Sequence, residues 1–182
     1  MKVTAIFRYQ SKGVSFIRSQ NIGFNEFIQN GLVFISCEQD EKMVGSRVML
    51  GDVLLNITGA SIGRVCVIPS EICPANVNQH VSIIRGNGSF DPNFLSFYIS
   101  TPNFQKFIMD SQAGATRQAL TKDIIENFDI PFPSLPEQKR LATFLTEKLA
   151  EVERLQKTLE EQLQAINLMP SAILRQAFNG EL

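Results

Sequence analysis

The chain has 182 residues, of which 44% are hydrophobic and 19% charged, and this length and composition are typical of one globular domain with an added extended element. The longest apolar runs are far shorter than the roughly 20 residues that a membrane span needs, and the first apolar patch is too short for a signal peptide. The formal net charge of −1 gives no overall basic excess, which counts against a nucleic-acid partner unless one face is locally basic.

The first part of the chain predicts short strands. Five runs rich in Val, Ile and Phe are bounded by turn residues, which is the pattern of strands in a compact domain. These runs are residues 14–18, 32–36, 53–57, 64–68 and 80–85. The glycine-rich segment 59–63 joins two of them as a tight loop.

Three short helices are predicted after the strands. They cover residues 92–100, 102–112 and about 121–127. Asp91, Thr101 and Thr121 are suited to cap them, and Gly114 is expected to end the second. Strands followed by helices predict an α+β domain, which we place at residues 1–131.

A proline-rich connector at residues 131–136 separates this domain from a different kind of sequence. The remainder, residues 132–182, is expected to be a linker, a long helix from about Pro136 to Met169 that Pro170 ends, and a tail. Apolar residues recur there in steps of three and four, which predicts a coiled coil. The predicted seam is Ala142, Leu145, Leu149, Val152, Leu159, Leu163 and Ile166, with Gln156 as its one polar member.

This helix is expected to need a partner. About 34 residues form a helix about 50 Å long, whereas a domain of about 130 residues is roughly 30 Å across. A second copy or another protein would cover the apolar seam. The alternative is that the helix lies back over its own core. Gln156 is expected to set the register of the pair, the alternative being a tolerated defect.

The chemistry-bearing residues predict no catalysis. Cys37, Cys66 and Cys73 form no CxxC pair and are expected to be buried free thiols in a reducing, cytoplasmic compartment. One histidine and no paired cysteines exclude a typical zinc site, and no glycine-rich fingerprint for a cofactor follows a strand. We therefore expect a protein that is not an enzyme and that holds no metal and no cofactor.

Six segments together carry a family resemblance. They are VSFIRSQNI at 14–22, GDVLLNITGASIGR at 51–64, NQHVSIIR at 78–85, GATRQAL at 114–120, IPFPSLPEQKRLA at 130–142 and AILRQAFNGEL at 172–182. In this order they resemble the specificity subunits of Type I restriction-modification systems. One domain and one long helix resemble the half-length form of that family. Only 13 residues precede Val14, so we expect an N-terminally shortened recognition domain.

The resemblance implies a non-catalytic subunit that reads one half of a bipartite target in double-stranded DNA. It implies recruitment of the methyltransferase subunit and, through it, of the restriction subunit. The spacer helix would pair antiparallel with a second copy in a homodimer, and two identical domains imply a palindromic target. A 50 Å helix limits the separation of the domains to roughly 15 base pairs. The alternative is a truncated half-subunit that dimerises and binds the methyltransferase without reading DNA.

The candidate DNA-binding residues are polar side chains on predicted loops, where Arg, Asn and Gln can form paired hydrogen bonds with base edges. The first group, after the first strand, is Arg18, Ser19, Gln20 and Asn21. The second group, around the glycine-rich loop, is Thr58, Ser61 and Arg64. The third group, at the start of the last short helix, is Thr116, Arg117, Gln118 and Lys122.

Each group also has an alternative interpretation. Ser19 and Asn21 could only satisfy turn backbone, and the glycine-rich loop could be a plain hairpin. Asn78, Gln79 and His80 are expected to be structural.

Overall fold

The computed structural model describes residues 9–112 and 119–180. These residues divide into two compact units, with the boundary after Ala142. The strands within the described ranges are β1 Val14–Ile17, β2 Val33–Ile35, β3 Arg47–Val48, β4 Val53–Asn56, β5 Val65–Val67, β6 Ala75–Val77 and β7 Val81–Ile84. The α-helices there are α1 Cys37–Lys42, α2 Pro92–Ile99, α3 Pro102–Asp110, α4 Lys122–Glu126 and α5 Leu135–Asn179.

The strands form two sheets in the first unit. The four-stranded sheet has the order β2-β1-β6-β3, in which β1 runs parallel to β6 and antiparallel to β2, and β3 runs antiparallel to β6. The three-stranded sheet has the order β5-β4-β7 and is antiparallel throughout. Mixed sheets with helices after them confirm the predicted α+β class.

Strand β4 is buried on both faces and joins two halves of the core. Successive side chains of a strand point to opposite faces. Val53 and Leu55 accordingly pack with Leu95 of α2, while Leu54 packs with Ile17 of β1. This two-sided burial explains why β4 is an unbroken apolar run rather than an alternating one.

The predicted helix starts in the first unit are confirmed. The side chain of Asp91 accepts a hydrogen bond from Phe94 N at 3.0 Å, and Thr101 and Thr121 cap α3 and α4 in the same way. Each cap satisfies a backbone N–H that the first helical turn cannot. Gly114, expected to end α3, lies outside the described residues.

Three elements escaped the sequence analysis: α1, β3 and β6. Helix α1 is short and charged, and it is capped by Ser36, whose hydroxyl accepts a bond from Gln39 N at 3.2 Å. Its Asp40 accepts two hydrogen bonds from Arg47 of β3, which hold the pKa of the Asp40 carboxyl below its usual value. Asn76, buried in β6, donates to the same carboxylate, so polar bonds hold these elements together.

Helix α5 begins inside the first unit. The side chain of Gln138 is fully buried, accepts a bond from Asp91 N at 2.8 Å and donates to Pro133 O at 2.9 Å. The oxygen of this amide therefore ties the first turn of α5 to the start of α2, and its nitrogen ties that turn to the connector before it. Ala142 is also buried in this unit, so it is not part of the exposed stretch of the predicted seam.

The rest of α5 forms the second unit, and Pro170 does not end it. The helix continues to Asn179, so the predicted end at Met169 is wrong. A proline removes one helical hydrogen bond and crowds the carbonyl four residues earlier, here that of Ile166. Ile166 is exposed, so water can satisfy that carbonyl. Every described residue from 143 to 180 is exposed, including the apolar ones.

The cysteines are free thiols, but only one is fully buried. Cys66 is buried, Cys73 is half-buried and Cys37 is exposed, so the expectation of a buried thiol is wrong for Cys37, which opens the charged helix α1. Burial raises the pKa of the Cys66 thiol to about 12. Over the described residues, no helix is long and apolar enough to cross a bilayer, and no three acidic, cysteine or histidine side chains cluster as metal ligands.

Candidate nucleic-acid interface

Two turns that are distant in sequence meet at one cleft in the first unit. A 3-10 turn at Ser19–Asn21 follows β1, and another at Gly59–Ser61 links β4 to β5. Between them lies a cleft of about 410 Å³. Its lining residues are Ser19, Gln20, Thr58, Gly59, Ala60, Ser61, Arg64 and His80. The structure thus brings together five candidates from two separate predicted groups.

The buried side chain of Asn56 connects the two turns. Its Nδ2 donates to Ser19 O at 2.8 Å, from the last residue of β4. Its backbone N donates to Arg64 O at 2.8 Å, and its carbonyl accepts from Gly63 N at 2.9 Å. Sequence reasoning missed this residue because it lies within the apolar strand run, although a polar residue at a strand end was the available signal.

Among the described residues that line the cleft, Arg64 is the only arginine or lysine. Among the described residues no hydrogen-bond or ion-pair partner is found for its half-buried side chain. Arg47 and Arg85 differ, because each makes a bidentate ion pair with an aspartate. The lining residues that the structure describes include no carboxylate.

Thr58 and its neighbour Ile57 pair with the two residues that lead towards α4. It forms an isolated antiparallel bridge with Ala119, and Leu120 N donates to Ile57 O at 2.9 Å. The candidates Thr116, Arg117 and Gln118 lie outside the described residues. They precede Ala119 directly in the sequence.

Arg18 and Asn21 do not line the cleft. Asn21 is fully buried, donates to Ile28 O at 2.9 Å and accepts from Arg18 N at 3.1 Å. The Arg18 guanidinium donates to Gly31 O at 2.7 Å and lies 5.4 Å from the centre of the Tyr9 ring. Both side chains hold the loop after β1 in shape, which for Asn21 is the alternative left open by the sequence.

Lys122 lies apart from the cleft lining. It is the exposed first residue of α4 and makes an ion pair with Glu126 at 3.4 Å. An exposed pair of this kind contributes little to stability, so the ammonium can exchange partners at small cost.

His80 lines the cleft, although the sequence analysis treated it as structural. Its Nδ1 lies 2.7 Å from Thr58 Oγ1, and its Nε2 lies 3.2 Å from the amide nitrogen of Gln79. Its backbone N donates to the side chain of Asn78 at 3.1 Å. Asn78 is thus structural as expected, whereas the imidazole belongs to the wall of the cleft.

Comparison with known proteins places these features in context. The family described as Type I restriction modification DNA specificity domain matches residues 9–165. The chain is similar to the Type I restriction enzyme EcoBI specificity subunit of Escherichia coli, with 30% identity over 93% of this chain and 36% of that protein. It is also similar to the StySPI specificity subunit of Salmonella potsdam, with 24% identity over 100% of this chain and 39% of that protein.

Solved structures share the fold. A chain from a study of complex assembly and conformational transition of the type I R-M system matches with a TM-score of 0.72 and 21% identity, over 100% of this chain and 42% of that chain. The HsdS subunit from Thermoanaerobacter tengcongensis matches with a TM-score of 0.61 and 19% identity, over 82% of this chain and 41% of that chain. The chain therefore spans about two fifths of the length of these relatives.

Proposed function

Because this chain belongs to the family of Type I restriction-modification DNA specificity domains, we propose that its first unit reads one half of a bipartite target in double-stranded DNA. The observation that carries the proposal is the cleft lined by Arg64 and by the hydroxyls of Thr58 and Ser61, where no partner of Arg64 is found within the described ranges. A guanidinium can donate two hydrogen bonds to the O6 and N7 of guanine or to a phosphate. Hydroxyl groups can bond to either kind of acceptor.

The surroundings of Arg64 favour an anionic or acceptor-rich ligand. Since no carboxylate is found in the described lining of the cleft, DNA would not have to displace an ion pair between Arg64 and one of these residues. The turns on either side are held by the buried Asn56, so the donors are positioned on a rigid base before DNA arrives. Thr116, Arg117, Gln118 and Lys122 remain candidates for further contacts with DNA.

We propose that a second copy covers the exposed seam of α5. In an antiparallel pair, each a position of one helix packs against a d position of the other. One alignment pairs all the remaining seam residues except Ile166, whose partner would be the buried Ala142. Its pairs are Leu145 with Leu163, Leu149 with Leu159, and Val152 with Gln156.

This alignment gives a length to the spacer. The two-fold axis passes at residue 154, which leaves twelve helical residues on each copy between the axis and Ala142, where the first unit ends. At about 1.5 Å per residue, the two Ala142 positions are about 36 Å apart, or about 11 base pairs. Two identical domains related by a two-fold axis would read inverted half-sites.

Disulfide formation tests this alignment. With the exposed Cys37 replaced by Ser, the Leu149→Cys/Leu159→Cys chain should form a disulfide-linked dimer under mild oxidation, because these positions face each other. Leu149→Cys alone is the matched control. Its two thiols would be about 15 Å apart along the axis, beyond the reach of a disulfide. A disulfide-linked dimer from the single variant, or none from the double variant, would reject the antiparallel alignment.

The remaining roles follow from the family. We propose that the chain is a non-catalytic subunit in a reducing cytoplasm and needs no metal or cofactor. We further propose that it recruits a methyltransferase subunit and, through that complex, a restriction subunit. The relatives named above are specificity subunits of Type I restriction enzymes, which supports this assignment.

Selection from randomised duplex DNA tests the readout. The wild-type chain should enrich a two-part inverted sequence, with or without added methyltransferase subunit. Arg64→Ala should reduce the affinity for that duplex by at least about tenfold, as expected for the loss of a bidentate contact. Arg154→Ala removes the same charge from an outward position of α5 and should bind as the wild type does. If no sequence is enriched under either condition, the chain is an interaction module without DNA readout.

A further inference from the structure

We propose that His80 is a positioning residue that orients the hydroxyl of Thr58 as a hydrogen-bond donor to DNA. This inference rests on the proposed function, because DNA is the acceptor. The two residues lie next to neighbouring strands: Thr58 follows β4, and His80 precedes β7. Their contact of 2.7 Å lies in the wall of the cleft that also contains Arg64.

The contacts of the imidazole define which ring nitrogen carries the proton. The Gln79 amide nitrogen lies 3.2 Å from His80 Nε2, and an amide nitrogen can only donate. In the tautomer that this contact favours, Nε2 accepts and Nδ1 carries the proton of the neutral ring. In this tautomer the Nδ1–H donates to Thr58 Oγ1 across the 2.7 Å contact. The sequence of donation runs from Gln79 to His80 to Thr58.

The bond from His80 fixes what Thr58 can offer. A hydroxyl has one proton and two lone pairs. Since Thr58 Oγ1 accepts from the imidazole, its own proton is available, and no second partner for this hydroxyl is found in the described chain. Phosphate oxygens and the N7, O6 and O4 atoms of bases are acceptors that such a donor fits.

The backbone holds this pair in place. The carbonyl of His80 accepts from Ile57 N at 2.9 Å, and the backbone N of His80 donates to Asn78 Oδ1 at 3.1 Å. Ile57 immediately precedes Thr58, so this backbone hydrogen bond holds Thr58 close to His80. A donor positioned in advance loses little freedom when it meets its acceptor.

The first test needs no DNA. His80 is the only histidine of the chain, so its ring nitrogens give a single set of signals in ¹⁵N NMR of histidine-labelled protein. The neutral ring should show the Nδ1–H tautomer in the wild type. Thr58→Val should lose this preference, because free histidine side chains in water favour the Nε2–H tautomer. An Nε2–H tautomer in the wild type would overturn the proposal.

The second test measures affinity for the selected duplex. Thr58→Val and His80→Phe should each bind about 3- to 10-fold more weakly, as expected for one hydrogen bond. Their double variant should bind no more weakly than either single variant, because the two residues form one contact with DNA. Thr58→Ser keeps the hydroxyl, and His80→Asn places an amide N–H near the position of Nδ1. Both should retain the affinity of the wild type.

The two tests separate the inference from the proposed function. Wild-type protein that binds no duplex overturns DNA readout, while the tautomer still decides whether the Gln79–His80–Thr58 chain exists. Protein that binds DNA while Thr58→Val and His80→Phe bind equally well overturns the role of His80 alone. Thermal unfolding of each variant identifies any that fails to fold, and Thr58→Val, which keeps the shape of the side chain, then carries the comparison.

Discussion

Replacing Leu149 with Glu should abolish self-association through α5. Leu149 is 44% exposed in the single chain, and full burial of a leucine contributes about 1.5–3 kcal/mol, so pairing gains about 1 kcal/mol there. The substitution loses this gain and adds at least about 1 kcal/mol for desolvating a polar group. A symmetric dimer carries the change twice, so the loss is about 4 kcal/mol, or about a thousand-fold in the dissociation constant.

Light scattering at micromolar protein measures this effect directly. The wild type should show twice the chain mass of 20.4 kDa, and Leu149→Glu should show the mass of one chain. Leu168→Glu is the matched control, since Leu168 is 62% exposed on the opposite side of the same helix. It should stay dimeric. A monomeric wild type, or equal dissociation by both variants, would refute the assignment of the seam.

Three further predictions concern the first unit. Gln138→Leu removes both hydrogen bonds of a fully buried amide, so it should lower the free energy of unfolding, measured by urea titration, by about 2–4 kcal/mol. Gln164 is exposed on α5, so Gln164→Leu is the control and should change this free energy little. The pKa of Asp40 in the folded chain lies below its usual value, so its ionised carboxylate stabilises the fold above about pH 4, and this contribution is lost as the pH falls further. The free energy of unfolding of the wild type should therefore fall more steeply below about pH 4 than that of Asp40→Asn. A thiol reagent should label Cys37 in the folded chain and Cys66 only after unfolding, as detected by mass spectrometry. Rapid labelling of Cys66 in the folded chain would contradict its burial.

The elements that the sequence predicted well are those with a strong local signal. Strand β4 has an unbroken apolar run, and α2 has a capping aspartate followed by proline. Strand β6 escaped because its central residue is the buried Asn76, and its pairing with β1 joins distant parts of the chain. Helix α1 escaped because it has six residues and no apolar stripe. The end of α5 was misplaced because proline was treated as a stop, although an exposed helix tolerates it.

For the cleft, local sequence features predicted several of the residues, but not that these residues lie together. Polar residues on loops predicted Ser19, Thr58 and Arg64 as candidates without indicating that they meet. Their meeting depends on Asn56, whose role is visible only through its bond to the turn after β1. His80 was taken as structural because a lone histidine before a strand carries no local signal of its partner.

A structure of the full chain bound to its selected duplex is the direct test of DNA readout by the cleft. We expect Arg64, Thr58 and Ser61 to lie within about 3.5 Å of base or phosphate atoms, with α5 paired to a second copy. DNA bound against another face, with the cleft open to solvent, would contradict it.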